Sequence, residues 1–191
     1  MSRQLILASA SPRRAELLTS AGFGFAVSAA EVDETPHLEE AASDYVIRVA
    51  RDKARLVSAA SRGTGAVVLA ADTAVVTESR IMGKPRSDED AASMLATLSG
   101  SVHQVLTGVV VRTDSRELVE LVATRVHFLP LSSAEISWYV ATGEPRGKAG
   151  AYAIQGHAAR FIDWIDGSWS NVVGLPLSTV NRMLKEVGVV D

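Results

Sequence analysis

Cysteine is absent from the 191 residues. A disulfide scaffold, a thiolate zinc centre and a cysteine nucleophile are thereby excluded. Histidine is scarce, at His37, His103, His127 and His157, with neither metal-ligand spacing nor an HExxH pattern. No apolar run reaches the roughly 18 residues of a membrane-spanning helix. Arg3 and the short apolar stretch Leu5–Ala8 fall short of a signal peptide, so a cytoplasmic location is expected. Positive charge has no excess either: the formal net charge is -3. A polymer of phosphates needs a clustered positive field, so general nucleic-acid binding is not expected, nor is a membrane. Neither serine of Ser9-Ala10-Ser11 sits in a GxSxG nucleophile elbow. Trp138, Trp164 and Trp169 read as core or interface aromatics rather than a base-stacking platform.

What remains is an ordinary soluble composition, 47% hydrophobic and 21% charged, which rules out a disordered tail, a collagen-like fibre and a coiled coil. The length suits a single domain over 1–191. Apolar runs alternate with helical periodicity, so the fold class is α/β. Strands are expected at Gln4–Ala8, Gly24–Ala29, Ala66–Thr77, Ala151–Ile154 and Phe161–Ile165, with a long hairpin from Val102–Arg112 and Leu118–Leu129. Helices are expected at Pro12–Ala21, Leu38–Ala60, Ser87–Leu98, from Ser132 to Thr142, and at Leu177–Val187. Ser87 precedes three acids, which suit a helix N-terminus, and Ser132 with Glu135 makes a capping box. Charge is segregated: an acidic stretch from Glu31 to Asp44 precedes a basic one from Arg48 to Arg62, which reads as two solvated faces.

Five places carry candidate chemistry. In Ser9-Ala10-Ser11-Pro12-Arg13-Arg14, Ser11 fits an N-cap and Pro12 the first helical position. Two arginines in that first turn oppose the helix dipole unless an anion is present, so the segment is either a capped helix with solvated arginines or a phosphate site. Lys53 falls on the apolar stripe of Val46, Val49, Ala50 and Val57. It either snorkels at the stripe's edge or aims its ammonium at a phosphate. Asp72, followed by Thr73, interrupts the apolar run Val67–Val76. A buried carboxylate there needs a cation, a metal or hydrogen bonds, and it could hold Mg²⁺ or activate water; the other reading is a turn between two short strands. Gly83-Lys84-Pro85 is no P-loop, because Glu78 stands where the first glycine belongs and Pro85 where the hydroxyl belongs. It leaves Lys84 as a lone cation in a Gly-Pro loop. In Gly147–Gly156, Gln155 carries an amide able to read a base edge, or the segment is a structural turn.

Taken in order, these blocks resemble the Maf family of nucleoside triphosphate pyrophosphatases. The resemblance runs through Ala8–Arg14, Arg51-Asp52-Lys53-Ala54, Ala71-Asp72-Thr73, Gly83-Lys84-Pro85 and Leu98-Ser99-Gly100 with His103. It continues through Thr107-Gly108-Val109, Lys148–Tyr152 with Ile154-Gln155-Gly156, and Asn171–Leu177. It implies an inosine-triphosphatase-like α/β fold: an elongated, twisted mixed sheet flanked by helices, with two lobes around a cleft. It further implies hydrolysis of dTTP and UTP, and of related modified pyrimidine triphosphates, to the monophosphate and pyrophosphate with Mg²⁺ or Mn²⁺, and a homodimer. By the same resemblance Asp72, Lys53, Lys84 and Glu34 are catalytic, Asp72 and Glu34 hold the metal, and Ser9, Arg13, Arg14, Thr73 and Gln155 bind substrate. Asp72 matches the proton acceptor, and Arg13, Thr73 and Gln155 match the specificity positions. Two positions depart from the pattern: Gly147 replaces an acid and Ala153 a glycine. The alternatives are an ITP/XTP pyrophosphatase, or a nucleotide-binding regulator of septation with little turnover whose acidic run meets a partner.

Overall fold

The computed structural model describes residues 3–78 and 80–190. Seven strands among them form one mixed sheet: β1 (Leu5–Leu7), β2 (Ala26–Val27), β3 (Val67–Thr77), β4 (Arg80–Met82), β5 (Val102–Arg112), β6 (Glu117–Phe128) and β7 (Ile162–Asp166). Their order is β2-β1-β3-β5-β6-β7, with β4 paired to β3. β1 runs parallel to both β2 and β3, whereas β4 is antiparallel to β3 and β7 to β6. Helices α1 (Pro12–Ser20), α2 (Ala42–Ala60), α3 (Asp88–Leu98), α4 (Ser133–Ala141), α5 (Trp169–Val173) and α6 (Leu177–Glu186) complete the α/β fold expected from the alternating pattern.

The chain divides into two compact units. The first comprises Met1–Asp72, Thr107–Val122 and Gly174–Asp191. Its core includes Ala8, Ala50, Ala54, Val57, Val68, Ala70 and Val110. Small residues dominate it, which lets α2 approach the sheet closely. At Gly108 on β5 a Cβ would lie 2.6 Å from the Val46 carbonyl oxygen of α2, so only glycine fits. The second unit comprises Thr73–Leu106 and Ala123–Val173. Larger side chains fill it: Met82, Leu95, Leu98, Phe128, Tyr139, Tyr152 and Phe161 are all buried. Asn171, fully buried, donates through Nδ2 to the Val105 carbonyl and to Thr124 Oγ1, both at 3.0 Å, tying α5 to β5 and β6.

Caps behave largely as their sequences suggest. The Asp90 amide donates to Ser87 Oγ at 3.1 Å, and Ser132 and Glu135 form the reciprocal capping box. Three expectations are corrected. Residues 38–41 are not helical, and α2 starts at Ala42. Ala151–Ile154 is no strand: Gly150 and Ala151 hold positive φ of 67° and 60°, and the Gly156 amide closes a turn onto the Ala153 carbonyl at 3.1 Å. Ser11 is the N-cap residue of α1, but its side chain makes no capping bond.

Candidate active site

Ser9, not Ser11, is the working hydroxyl at the start of α1. β1 ends at Leu7, and the Ala8 amide still bonds the Leu69 carbonyl of β3 at 2.8 Å. The chain then turns, and Ser9 Oγ accepts from the Ser11 amide at 3.2 Å and from Arg14 Nη1 at 3.1 Å. Arg14 Nε donates to the Gly174 carbonyl at 2.8 Å, so a buried guanidinium is locked in place beneath the helix start. Burial pulls its pKa down and neighbouring Asp72 pulls it up; the net shift is downward, yet an arginine stays cationic at any physiological pH. Arg13, one residue before it, is half-buried.

α2 delivers Lys53 on its buried stripe, between Val49, Ala50 and Val57. The ammonium does not snorkel out: Lys53 is only 5% exposed, and Nζ lies 2.7 Å from Asp72 Oδ1 and 2.6 Å from Glu34 Oε1. Asp72 stands inside the continuous strand β3, which removes the turn reading. Burial pushes its carboxyl pKa upward; the charges of Lys53 and Arg14 and the Lys53 hydrogen bond oppose the shift without cancelling it. The group is an ionisable carboxyl held more basic than an exposed aspartate, which suits a proton acceptor.

Glu34 comes from the loop before α2, and α2 itself holds that loop. Tyr45 Oη donates to the Glu34 carbonyl at 3.0 Å and Arg48 Nη2 to the Thr35 carbonyl at 3.0 Å. Arg48 also grips Glu40 with two nitrogens, at 2.6 and 2.8 Å. Part of the acidic and basic stretches thus pair with each other rather than standing as separate solvated faces. Burial, with Asp72 and Glu34 nearby, pushes the Tyr45 phenol up to about 12.

The donor set bears on a metal. Asp72 and Glu34 both reach the Lys53 ammonium, and no cluster of three or more His, Cys, Asp or Glu suited to an ion occurs among the described residues. Two carboxylates are too few for an all-protein cage. They fit a hard ion such as Mg²⁺, which keeps waters and takes most of its remaining oxygens from phosphates.

The second unit contains the other expected site residues. Thr73 follows Asp72 on β3 and is half-buried; Lys84 is exposed just after β4; Gln155 is exposed in the turn 154–156. Buried His103 on β5 pairs through Nε2 with Tyr152 Oη at 2.8 Å, and burial pushes its pKa down to about 4.

The chain matches the Maf-like protein family over residues 4–187. This protein belongs to the Maf family. A relative from Anaeromyxobacter sp. (strain Fw109-5), named dTTP/UTP pyrophosphatase, is 53% identical over 193 residues, covering 98% of this chain and 91% of that one. Proteins of the same name from Myxococcus xanthus (strain DK1622) and Geobacter sulfurreducens are 53% and 51% identical, covering 97% of this chain in both cases and 93% and 97% of theirs. A solved structure titled nucleoside-triphosphatase / dITP/XTP pyrophosphatase, from Mycobacterium abscessus, aligns at 18% identity with a TM-score of 0.39, over 67% of this chain and 75% of that one, too loosely to bear on the fold.

Of the Maf residues expected from the sequence, Ser9, Arg13, Arg14, Glu34, Lys53 and Asp72 belong to the first unit, where Ser9 pairs with Arg14 and Lys53 with Asp72 and Glu34, whereas Thr73, Lys84 and Gln155 belong to the second. Tyr45 and Arg48, which hold the Glu34 loop, were not among the sequence candidates. The one available signal was an acidic stretch running directly into a basic helix.

Proposed function

We propose that this Maf protein hydrolyses dTTP and UTP to the monophosphate and pyrophosphate. The observation that carries the reading is the set of buried side chains Asp72, Lys53, Arg14 and Ser9, with the more exposed Glu34 reaching Lys53, on a chain about half identical to relatives of that name. Water is the nucleophile at the α-phosphorus. Asp72, its pKa raised by burial, accepts the proton. Arg14 and Arg13 at the start of α1, with Lys53, offset the charge that builds on the phosphates as pyrophosphate leaves. Ser9 keeps Arg14 aimed. Asp72 and Glu34 would hold Mg²⁺ or Mn²⁺, which when bound neutralises phosphate charge. Lys84 is assigned a phosphate and Thr73 and Gln155 the pyrimidine edge, on the family resemblance. The cytoplasm and a homodimer complete the reading, the latter checked by sedimentation.

The test is pyrophosphate release from a panel of triphosphates with and without Mg²⁺. Metal-dependent release fastest with dTTP and UTP supports the assignment. Preference for ITP or XTP overturns the specificity, and binding without release overturns the enzyme in favour of a regulator. Asp72→Asn is expected to fold and to lose turnover; retained release would sink the proton-acceptor role.

A further inference from the structure

Glu144 lies outside every motif considered above, yet its side chain meets three other residues. Its carboxylate is 15% exposed. Oε1 accepts from Tyr139 Oη at 2.7 Å and from the Ala158 amide at 3.4 Å. Oε2 accepts from the His157 amide at 2.9 Å and lies 2.8 Å from His157 Nδ1. Tyr139, fully buried on α4, also uses its hydroxyl to accept from the Ala153 amide at 3.2 Å. Lys148 Nζ donates to the Glu144 carbonyl at 2.6 Å and secures the residue from behind. The turn bearing Gln155 is therefore pinned on both shoulders. Ala153 before it rests on Tyr139, and His157 and Ala158 after it rest on Glu144. A Cβ at Gly156 would overlap the Glu144 carboxylate, so the turn and that side chain lie in close contact. Burial raises the Glu144 pKa, but the hydrogen bonds it accepts lower it further, so the group stays ionised at neutral pH.

We propose that Glu144, through Tyr139, is a positioning residue that fixes the Gln155 turn and so sets the enzyme's choice of base. The inference rests on the assignment of Gln155 to the pyrimidine edge. An exposed amide at a turn tip discriminates between bases only if its backbone is held, because a donor–acceptor pair that can drift satisfies either edge. The hydrogen bonds that this one carboxylate accepts from Tyr139 Oη and the His157 and Ala158 amides, with the His157 ring beside it, supply that rigidity. Glutamine at 144 retains one acceptor oxygen, and alanine retains none.

The experiment compares kcat and KM for dTTP, UTP and dCTP in wild type, Glu144→Gln, Glu144→Ala and Gln155→Ala. The expected result is a fall in dTTP-over-dCTP discrimination of about tenfold in Glu144→Ala, mostly through KM, with Gln intermediate. Combining Glu144→Ala with Gln155→Ala is expected to add nothing to the loss of discrimination in Gln155→Ala alone. Tyr139→Phe, which deletes a hydroxyl and little volume, gives the same direction should the Glu144 variants fail to fold. Unchanged discrimination with a lower Tm, or additive losses, overturns the proposal. If wild type releases no pyrophosphate, the functional reading fails first; faster amide exchange at His157 and Ala158 in Glu144→Gln then upholds the pinning, and unchanged exchange overturns it.

Discussion

Lys53 Nζ lies 2.7 Å from Asp72 Oδ1, and neither side chain is more than 9% exposed. With both groups so far from solvent, removing either one leaves the other buried without its partner. Lys53→Met removes one partner and keeps most of the volume. The carboxylate left behind loses the Lys53 charge and hydrogen bond and keeps only Arg14 to oppose burial, so its pKa rises further. A proton acceptor must be unprotonated to work, so the acid limb of kcat/KM moves to higher pH and activity at neutral pH falls. Stability is expected to drop on the order of 3 kcal/mol. A pH–rate profile and urea denaturation check both; an unmoved acid limb would show that Asp72 is not the titrating group.

The loop before α2 depends on the Arg48–Glu40 pair, whose shorter contact is 2.6 Å. The Arg48 hydrogen bond pulls the Glu40 pKa down to about 2 from 4.5. The pair therefore operates fully above pH 4.5 and is lost only as pH falls through about 2. Arg48→Met is expected to release the loop at all working pH values and to displace Glu34 from Lys53. Limited proteolysis should then cut between Thr35 and Glu40. kcat/KM should fall on the order of tenfold or more, the cost of a misplaced charged group. Intact protease resistance in Arg48→Met would count against the clamp.

Part of the candidate site is legible in the sequence. Asp72 announced itself as a carboxylate inside an apolar run, and Lys53 as a cation on an apolar helical stripe; both are anomalies that burial makes expensive. Periodicity also found α2, β3 and the long hairpin, because each repeats its pattern over many residues. What stayed hidden depends on tertiary closure. Arg48 and Glu40 meet only because the loop folds back onto α2, and Glu144 gathers Tyr139, His157 and Ala158 through turns no local pattern encodes. Ala151–Ile154 misled for the opposite reason. Its apolar composition suits a strand, but the left-handed backbone at Gly150 and Ala151 overrides it.

His103 makes the second unit acid-sensitive. Its pKa is about 4 when folded and 6.5 as a free side chain, with burial as the cause. Above pH 6.5 the ring is neutral in both states and costs nothing. Between pH 6.5 and about 4 the unfolded chain takes up a proton that the folded one refuses, so stability falls as pH falls, by about 3 kcal/mol in all. Denaturation of wild type and His103→Gln between pH 7.5 and 4.5 isolates the effect. The variant is expected to be less stable at pH 7.5, having lost its contact with Tyr152, but to show a shallower decline. Parallel declines would exclude His103 as the source.

Gly108 tests whether the seating of α2 on β5 governs the site. A Cβ at this position would lie 2.6 Å from the Val46 carbonyl oxygen and 2.8 Å from the Ile47 amide nitrogen, and backbone cannot swing aside as a side chain can. Gly108→Ala must push α2 outward, at a cost of about 1–3 kcal/mol for an overpacked contact. In a chain of this length that corresponds to a Tm lower by about 5 °C. The same shift carries Lys53 away from Asp72, so kcat should fall by more than the loss of folded protein explains. Gly24→Ala is the control, because a Cβ there meets nothing within 4 Å. Scanning calorimetry and single-turnover rates on the two variants, side by side, decide the point: equal Tm values would mean that the helix has room to spare and that Lys53 is placed by its ion pairs alone.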